Sequence, residues 1–320
     1  MKTEIRKLLS LGNFFTLKNK INQKLVYSLK PSSRIILHNI HMSWLRSINM
    51  KAQSHFPVYL SSLNKKRAEV CYGVIEKTFT SYLNDLVVVE EKDNYTMENK
   101  LKLQLNLVIP KQDVMQYFFQ WQRYRKYWWS SITTTPSLLA VNDMKYELTN
   151  IDTEIVANFS CGQKVIEYLH INKENNDSKD TAHITCCMSL ETALISLLLD
   201  GLLNQTQDGY LRLHSKMAPY KIAFALNSTD VEKADTLKEL AKLLHNQLHL
   251  AQIATWLPDF SLPLQSQIEE NLKIGVPYTA VLNNETTSNG IFHLLNSSTV
   301  LKEQVHVADF EKYAQLLCSK

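Results

Sequence analysis

The chain has 320 residues, 45% of them hydrophobic and 21% charged, and its 35 lysines and arginines against 31 aspartates and glutamates give a formal net charge of +4. An excess this small excludes a globally basic nucleic-acid-binding surface. The seven glycines are too dispersed for GxGxxG or GxxxxGK[ST], which excludes Rossmann dinucleotide enzymes and P-loop nucleotidases.

The positive charge is concentrated at the N-terminus. Residues 1–34 hold eight basic residues and one acidic residue, Glu4, which leaves 27 basic and 30 acidic residues in 35–320. Basic and apolar residues alternate in this segment and acidic ones are scarce, a composition typical of mitochondrial transit peptides. We predict that 1–34 is a mitochondrial leader and that the protein is mitochondrial. A solvated basic first helix is the alternative.

The pattern of residues 35–210 predicts a domain with several strands. Helical stretches begin at residue 35, and strands follow at 55–63, 71–79 and 101–110, with a basic loop at 64–67 and a polar loop at 90–100. A helix is predicted at 115–129 with Asp113 as its cap. After a polar loop at 172–181, a strand at 182–188 leads to a helix at 189–203 with Ser189 as its cap.

Residues 211–320 change to an alternation of helices and strands. Strands are predicted at 220–226, 250–256, 277–283 and 290–295, and helices at 232–249, 262–274 and 307–317. The segment 284–290 between the last two strands is predicted as a turn. This order indicates a small α/β domain with a mixed sheet. The longest apolar run, 194–203, is interrupted by Asp200 and Gly201, so no membrane span is predicted.

Residue types provide no catalytic or metal site. His245 and His249 have the spacing of a zincin pair, but HNQLH lacks the glutamate that would serve as base, so we predict neither a metal nor another cofactor. The five cysteines form no CxxC pair and are predicted to be reduced thiols.

The densest cluster of candidate binding residues is QRYRKYWW at 122–129. Interleaved cations and aromatic rings suit a phosphate backbone or a base-stacking platform. The alternative is that Phe118, Trp121 and Trp128 belong to a core, while Arg123, Arg125 and Lys126 are a solvated helix end that complements the helix dipole.

Several segments carry a resemblance to known families. LHSKMAPYKIAFAL (213–226) and IGVPYTAVLNNETTSNGIFHLLNSST (274–299) resemble the C-terminal anticodon-binding domain of class IIa aminoacyl-tRNA synthetases. The segments 118–137, 187–202, 281–294 and 302–317 are more closely similar to the accessory-subunit family of mitochondrial DNA polymerase gamma, and FPVYLSS (56–62) fits the start of that family's synthetase-like core. The resemblance implies a degenerate class II synthetase-like domain of mainly antiparallel sheet at 35–210 and an anticodon-binding-like domain at 211–320.

The resemblance also implies that synthetase chemistry is lost. The segment that matches the synthetase ATP-binding motif reads SLET, with Thr192 where an arginine would hold the ATP phosphates. An uncharged threonine cannot neutralise a triphosphate. We therefore expect a non-catalytic subunit rather than an enzyme. An active or tRNA-handling synthetase paralogue is the alternative, and a general mitochondrial nucleic-acid-binding protein is a third possibility.

The family implies that the chain binds the polymerase catalytic subunit and raises processivity on double-stranded primer–template DNA. Large apolar residues in a loop are candidates for the polymerase contact: Trp256, Leu257 and Phe260. Basic residues are candidates for DNA-backbone contact: Lys65, Lys66, Arg67, Arg123, Arg125 and Lys126. Only LNKKRAEV (63–70) stands where vertebrate members carry a helical dimerisation insertion, so we expect a monomer that pairs 1:1 with the polymerase.

Overall fold

The computed structural model describes residues 2–52, 58–61, 73–77, 84–91, 95–98, 101–147, 150–172, 180–207, 209–228 and 231–318. The chain divides into two compact units, Met1–Leu203 and Asn204–Lys320. The division lies close to the boundary that we predicted at residue 210. It leaves residues 2–34 inside unit 1.

Unit 1 begins with a helix, a hairpin and a long helix, followed by strands interrupted by two further helices. Its elements are α1 (Lys2–Leu9), β1 (Phe15–Ile21), β2 (Lys24–Leu29), α2 (Pro31–Ala52), β3 (Val58–Ser61), β4 (Gly73–Lys77), β5 (Asp85–Glu90), β6 (Tyr95–Met97), β7 (Lys102–Pro110), α3 (Val114–Ser130), β8 (Leu139–Val141), β9 (Lys145–Tyr146), β10 (Asn150–Phe159), β11 (Gly162–Asn172), β12 (Thr181–Ser189) and α4 (Leu190–Leu203).

Two sheets organise unit 1. A small antiparallel sheet has the order β1-β2-β5-β6, and a larger one has the order β3-β4-β7-β12-β11-β10-β8 with β9 beside β10. All pairs in the larger sheet are antiparallel except β3 and β4, so the predicted mainly antiparallel sheet is confirmed. Alternation in β7 buries Leu103, Leu105 and Leu107 on one face, which is the pattern of a half-buried strand.

The central helix α4 is buried over nearly its whole length, from Leu190 to Gly201. Its sequence is mostly apolar, as is expected of a helix that packs between other elements, and its buried carboxylates Glu191 and Asp200 accept hydrogen bonds from the Leu101 and Thr134 amides. Ser189 occupies the predicted cap position, and its Oγ accepts a hydrogen bond from the Thr192 amide at 3.3 Å. Asp113 lies at the corresponding position of α3 but makes no capping side-chain hydrogen bond.

Unit 2 is a five-stranded mixed sheet with helices. Its elements are β13 (Ile222–Asn227), α5 (Val231–Leu250), β14 (Thr255–Trp256), α6 (Leu264–Ile274), β15 (Tyr278–Asn283), α7 (Asn284–Asn289), β16 (Ile291–Asn296), β17 (Lys302–His306) and α8 (Phe310–Cys318). The strand order is β14-β13-β15-β16-β17. Parallel pairs at β13 and antiparallel pairs at β16 confirm the predicted mixed sheet.

Some predicted elements were wrong in type or extent. The turn predicted at 284–290 is helix α7, capped by Asn283, whose side chain accepts the Thr286 amide while Thr286 Oγ1 accepts the Asn283 amide. The polar loop predicted at 90–100 contains strand β6, and the strand predicted at 250–256 shrinks to two residues because α5 continues to Leu250. Strands β1, β2, β5, β8 to β11 and β17 had no counterpart in the elements predicted from sequence.

Candidate nucleic-acid and partner interfaces

Helix α3 carries the aromatic and basic cluster and has two different faces. Phe118, Trp121, Trp128 and Trp129 are buried against the sheet side of unit 1. The alternative from the sequence, that aromatic residues of this cluster belong to a core, is therefore right for Phe118, Trp121 and Trp128. The opposite face of the same helix exposes aromatic and basic residues, so the cluster divides between core and surface.

Arg125 belongs to the core, which corrects its assignment as a DNA contact. Its side chain is 2% exposed, and its Nε and Nη2 donate to the two carboxylate oxygens of Glu167 at 2.6 and 3.1 Å. Trp129 Nε1 donates to the same carboxylate at 2.7 Å, and the guanidinium lies 4.4 Å from the ring centroid of Trp128. A DNA phosphate cannot reach a guanidinium that is enclosed and already paired.

The other two candidates for DNA-backbone contact in this helix lie on the outward face of α3. Arg123 is exposed and Lys126 is half-buried. The same helix also exposes Tyr124 (37%) and Tyr127 (73%), with Phe119 one turn earlier at 40%. The helix contains no acidic residue, so no carboxylate of α3 opposes an anionic ligand. Cations beside exposed rings can bind a phosphate backbone and stack on bases, or serve as anchors of a protein interface.

The other predicted basic candidates, Lys65, Lys66 and Arg67, lie outside the described residues. Their contribution to any DNA-binding surface stays a prediction.

Thr192 lies in the first turn of α4 and is buried. It lines a cavity of about 150 Å³ together with Lys102, Val165, Ile166, Tyr168, Cys187, Met188 and Ser189. Lys102, which the sequence patterns did not single out, provides a cation in this lining. Burial raises the pKa of the Cys187 thiol, and Lys102 partly lowers it again.

The three apolar candidates of unit 2 lie against its core rather than standing free. Trp256 packs on Ala223, Ile274 and Val276, and its ring lies 5.1 Å from that of Tyr220. Leu257 and Phe260 are partly buried against the main cluster of the same unit. Each can offer only part of its side chain to a partner, so their role in binding stays a prediction.

A more exposed apolar pair lies at the tip of the β16–β17 hairpin. Val300 is 55% and Leu301 63% exposed, and Val300 has a φ of 60°, which is unfavourable for a β-branched residue. Asn296 holds the tip, because its side chain accepts the amides of Ser298 and Thr299 at 2.9 and 3.1 Å. Sequence reasoning missed this pair, although two apolar residues after the polar run NSST were a possible signal.

The described residues contain no group of three or more His, Cys, Asp or Glu that could hold a metal ion. His245 and His249 stack at 6.4 Å, and His245 Nδ1 lies 2.6 Å from Thr255 Oγ1. Burial and the neighbouring His249 lower the pKa of His245. Within the same part of the chain, no helix is long and apolar enough to cross a membrane.

Comparison with known proteins gives a consistent result. The chain is 25% identical to DNA polymerase subunit gamma-2, mitochondrial, of Drosophila melanogaster, over an alignment covering 67% of this chain and 66% of that protein. It is similar to DNA polymerase gamma-2 subunits. The Mus musculus and Xenopus laevis proteins are each 23% identical, over 64% and 60% of this chain and 50% and 48% of their own lengths. The chain thus spans about half to two thirds of these relatives. No family model matches it.

Proposed function

We propose that this chain is a non-catalytic accessory subunit of the mitochondrial DNA polymerase. It binds the catalytic subunit, strengthens the grip of the holoenzyme on primer–template DNA and so raises the number of nucleotides added per binding event. The observation that carries the proposal is the similarity to gamma-2 subunits from an insect and two vertebrates, two of them named as mitochondrial.

A degenerate synthetase ancestry fits the residues of the α4 cavity. The residue that would face ATP phosphates, Thr192, is uncharged and buried, and the neighbouring carboxylate of Glu191 accepts the Leu101 amide at 3.0 Å. A triphosphate placed here would meet Lys102 as the one cation of the described lining. One cation is too few for a group with several negative charges, so we infer that the chain does not activate amino acids.

The outward face of α3 is the DNA-facing surface in this proposal. Arg123 and Lys126 contact phosphates, and Tyr124 and Tyr127 pack against the backbone or an exposed base. Every charged side chain of α3 is an arginine or a lysine. Because each phosphate contact releases a condensed counterion, binding through this face weakens as salt rises.

The polymerase contact is proposed at the β16–β17 tip. Val300 and Leu301 project from a turn whose backbone is held by Asn296, so little conformational entropy is lost when a partner covers them. Trp256, Leu257 and Phe260 are kept as further candidates, with smaller contributions because they are already packed on the core of unit 2.

Primer extension by the catalytic subunit, with and without this chain, tests the function. Products several times longer with the chain are expected, and unchanged lengths would contradict the processivity role.

Substituting Arg123 and Lys126 by serine should lower the slope of log affinity for DNA against log salt concentration by about one per lost phosphate contact. Lys242→Ser, which removes an exposed lysine of α5, is the matched control and should leave the slope unchanged.

Leu301→Ser is expected to weaken co-purification with the catalytic subunit. Leu250→Ser, which removes an 84% exposed leucine elsewhere in unit 2, is its control. Equal losses of co-purification in the two variants would contradict a polymerase contact at the β16–β17 tip.

Two further tests address the alternatives. ATP–pyrophosphate exchange with any amino acid would favour a synthetase paralogue over an accessory subunit. We also propose a monomer that pairs 1:1 with the polymerase. Light scattering of the isolated chain should give a mass near 37 kDa, since the monomer is 36.9 kDa, whereas a stable mass near twice that value would refute the monomer.

A further inference from the structure

The cavity beside Thr192 lies at a fork between two strands of the larger sheet. β11 and β12 pair from Asn172 opposite His183 to Tyr168 opposite Cys187, and their pairing ends there. Beyond that point β12 continues beside β7, and β11 continues beside β10. The cavity of about 150 Å³ is lined by residues from both arms of this fork and by the first turn of α4.

A β-bulge shapes one wall of the cavity. The register between β10 and β11 shifts by one residue, which leaves Ile166 as an extra residue on β11. Ile166 and Glu167 are therefore buried in succession, and Tyr168 comes to the open face, where it is 55% exposed. Val165 and Ile166 both line the cavity. Bulges are frequent beside functional sites because they redirect side chains in this way.

The polar side chains of the described lining include three that can donate to one ligand. Lys102 stands opposite Ser189 in the pairing of β7 with β12, and Tyr168 stands opposite Cys187 in the pairing of β11 with β12. Lys102 is near enough to the Cys187 sulfur to lower the pKa of this thiol against the effect of burial. An ammonium group, a phenol hydroxyl and a thiol are all hydrogen-bond donors, so the lining favours a ligand that carries acceptors.

The charge of the lining limits the ligand further. The described lining contains no carboxylate, and Lys102 is its single cation. Glu191, next to Thr192 in sequence, is 1% exposed, and its carboxylate accepts the Leu101 amide at 3.0 Å and the Ser189 hydroxyl at 2.7 Å. A ligand with one negative charge therefore balances the site. An α-amino acid fits less well, because its ammonium group would find no carboxylate partner in this lining.

Size and the apolar part of the lining complete the description. A cavity of about 150 Å³ holds a molecule of about the size of benzene. We propose that this cavity binds a short-chain monocarboxylate of about five carbons. The carboxylate accepts hydrogen bonds from Lys102 and Tyr168, and the alkyl chain packs against Val165, Ile166 and Met188. This ligand site goes beyond the accessory-subunit function, and neither depends on the other.

The test uses the full chain with pentanoate as the probe and alkylation of Cys187 by N-ethylmaleimide as the measurement. A ligand in the cavity covers this thiol, and peptide mass spectrometry follows each cysteine separately. Cys161, a half-buried free thiol in the turn between β10 and β11, is the internal control. A ligand this small is expected to bind with a Kd of about 1 mM. At about 10 mM, pentanoate should then slow alkylation of Cys187 about tenfold and leave Cys161 unchanged.

Two further probes test the charge of the ligand on the unaltered chain. Pentanamide has nearly the same shape without the charge, and it should bind about tenfold more weakly because a charge-assisted hydrogen bond is lost. At about 10 mM it should slow alkylation of Cys187 only about twofold. The amino acid 2-aminopentanoate should also protect less than pentanoate. Equal protection by pentanoate and pentanamide, or equal slowing at Cys187 and Cys161, would overturn the proposal.

A substitution tests the role of the cation. Lys102→Met should lose most of the protection by pentanoate, when rates with and without pentanoate are compared within the variant. Lys242→Met, which removes an exposed lysine of α5, is the matched control and should keep the protection. Circular dichroism checks that both variants fold. Undiminished protection in a folded Lys102→Met would overturn the proposal, and the comparison of probes on the unaltered chain decides it if this variant does not fold.

Discussion

Arg125 and Glu167 form a buried ion pair whose disruption should be costly. Arg125→Met removes two of the three hydrogen-bond donors to the Glu167 carboxylate, which has no exposed surface, and leaves Trp129 Nε1 as the remaining donor. An unpaired buried charge costs about 3–5 kcal/mol when its partner is removed. Because the methionine fills a similar volume, the expected loss comes mainly from the stranded carboxylate.

The same geometry predicts a rescue. In the double variant Arg125→Met, Glu167→Gln neither of the two positions carries a charge, and the amide oxygen can still accept from Trp129. We expect the double variant to recover about 2 kcal/mol of the loss caused by the single one, since the stranded charge was its main cause. Arg123→Met is the matched control, because it removes the same side chain two residues earlier on an exposed position and should change stability by less than about 0.5 kcal/mol.

Urea unfolding followed by tryptophan fluorescence measures these differences. Four of the five tryptophans belong to unit 1, so a Trp256→Phe background makes the signal report on that unit alone. The reasoning would be refuted if Arg125→Met cost no more than Arg123→Met. It would also fail if the double variant were no more stable than Arg125→Met alone.

Three further outcomes are expected. The contacts with Arg6 and Lys2 lower the pKa of Glu90 to about 2. The stabilising contribution of this carboxylate is therefore present above pH 4.5 and is lost as the pH falls toward 2. Glu90→Gln should speed amide hydrogen exchange in α1 at pH 7 and remove this dependence of stability on acid pH. Lys164→Met should be more stable than wild type below pH 7, with the difference in urea midpoint shrinking as the pH rises toward 10.5, since only the unfolded wild-type chain binds the proton in that interval. Val300→Asn should raise unfolding free energy by about 0.5–1 kcal/mol in urea titrations, because asparagine tolerates a positive φ; a loss would show that the valine is not strained.

Regular periodicity made some elements predictable. The leucine alternation of 101–110 and the leucine stripe of 232–249 correspond to β7 and α5, because each pattern matches one face of a regular element. The β10–β11 hairpin is harder to predict, since the register shifts between Ile155 and Val156 and the three successive residues from Ile155 to Ala157 are buried. In α7, turn-forming residues build a helix because Asn283 and Thr286 satisfy each other's backbone amides.

The residues of α3 show a second limit on prediction from sequence, namely whether a basic side chain is exposed or buried. Arg123 and Arg125 are the same residue type, two positions apart on one helix, yet one is exposed and the other is enclosed. The difference is decided by Glu167, which is 42 residues away in sequence and reaches α3 only through the fold. No local pattern contains that information, so the choice between core and surface had to be left open. The exposed tip at Val300 depends on a hairpin whose second strand, β17, was not predicted.

The N-terminal charge illustrates why composition alone is ambiguous. The basic residues of 1–34 face acidic partners within unit 1: Lys2, Arg6 and Lys20 approach Glu90, Lys18 approaches Asp85, and Lys24 approaches Glu98. Apolar residues of the same segment, Phe14 and Leu29 among them, are buried. Because exposed ion pairs each contribute little, burial of these apolar side chains stabilises the segment more than its ion pairs do. The positive segment and the negative remainder are complementary parts of one fold, and cleavage at residue 34 would remove β1, β2 and the contacts that hold them.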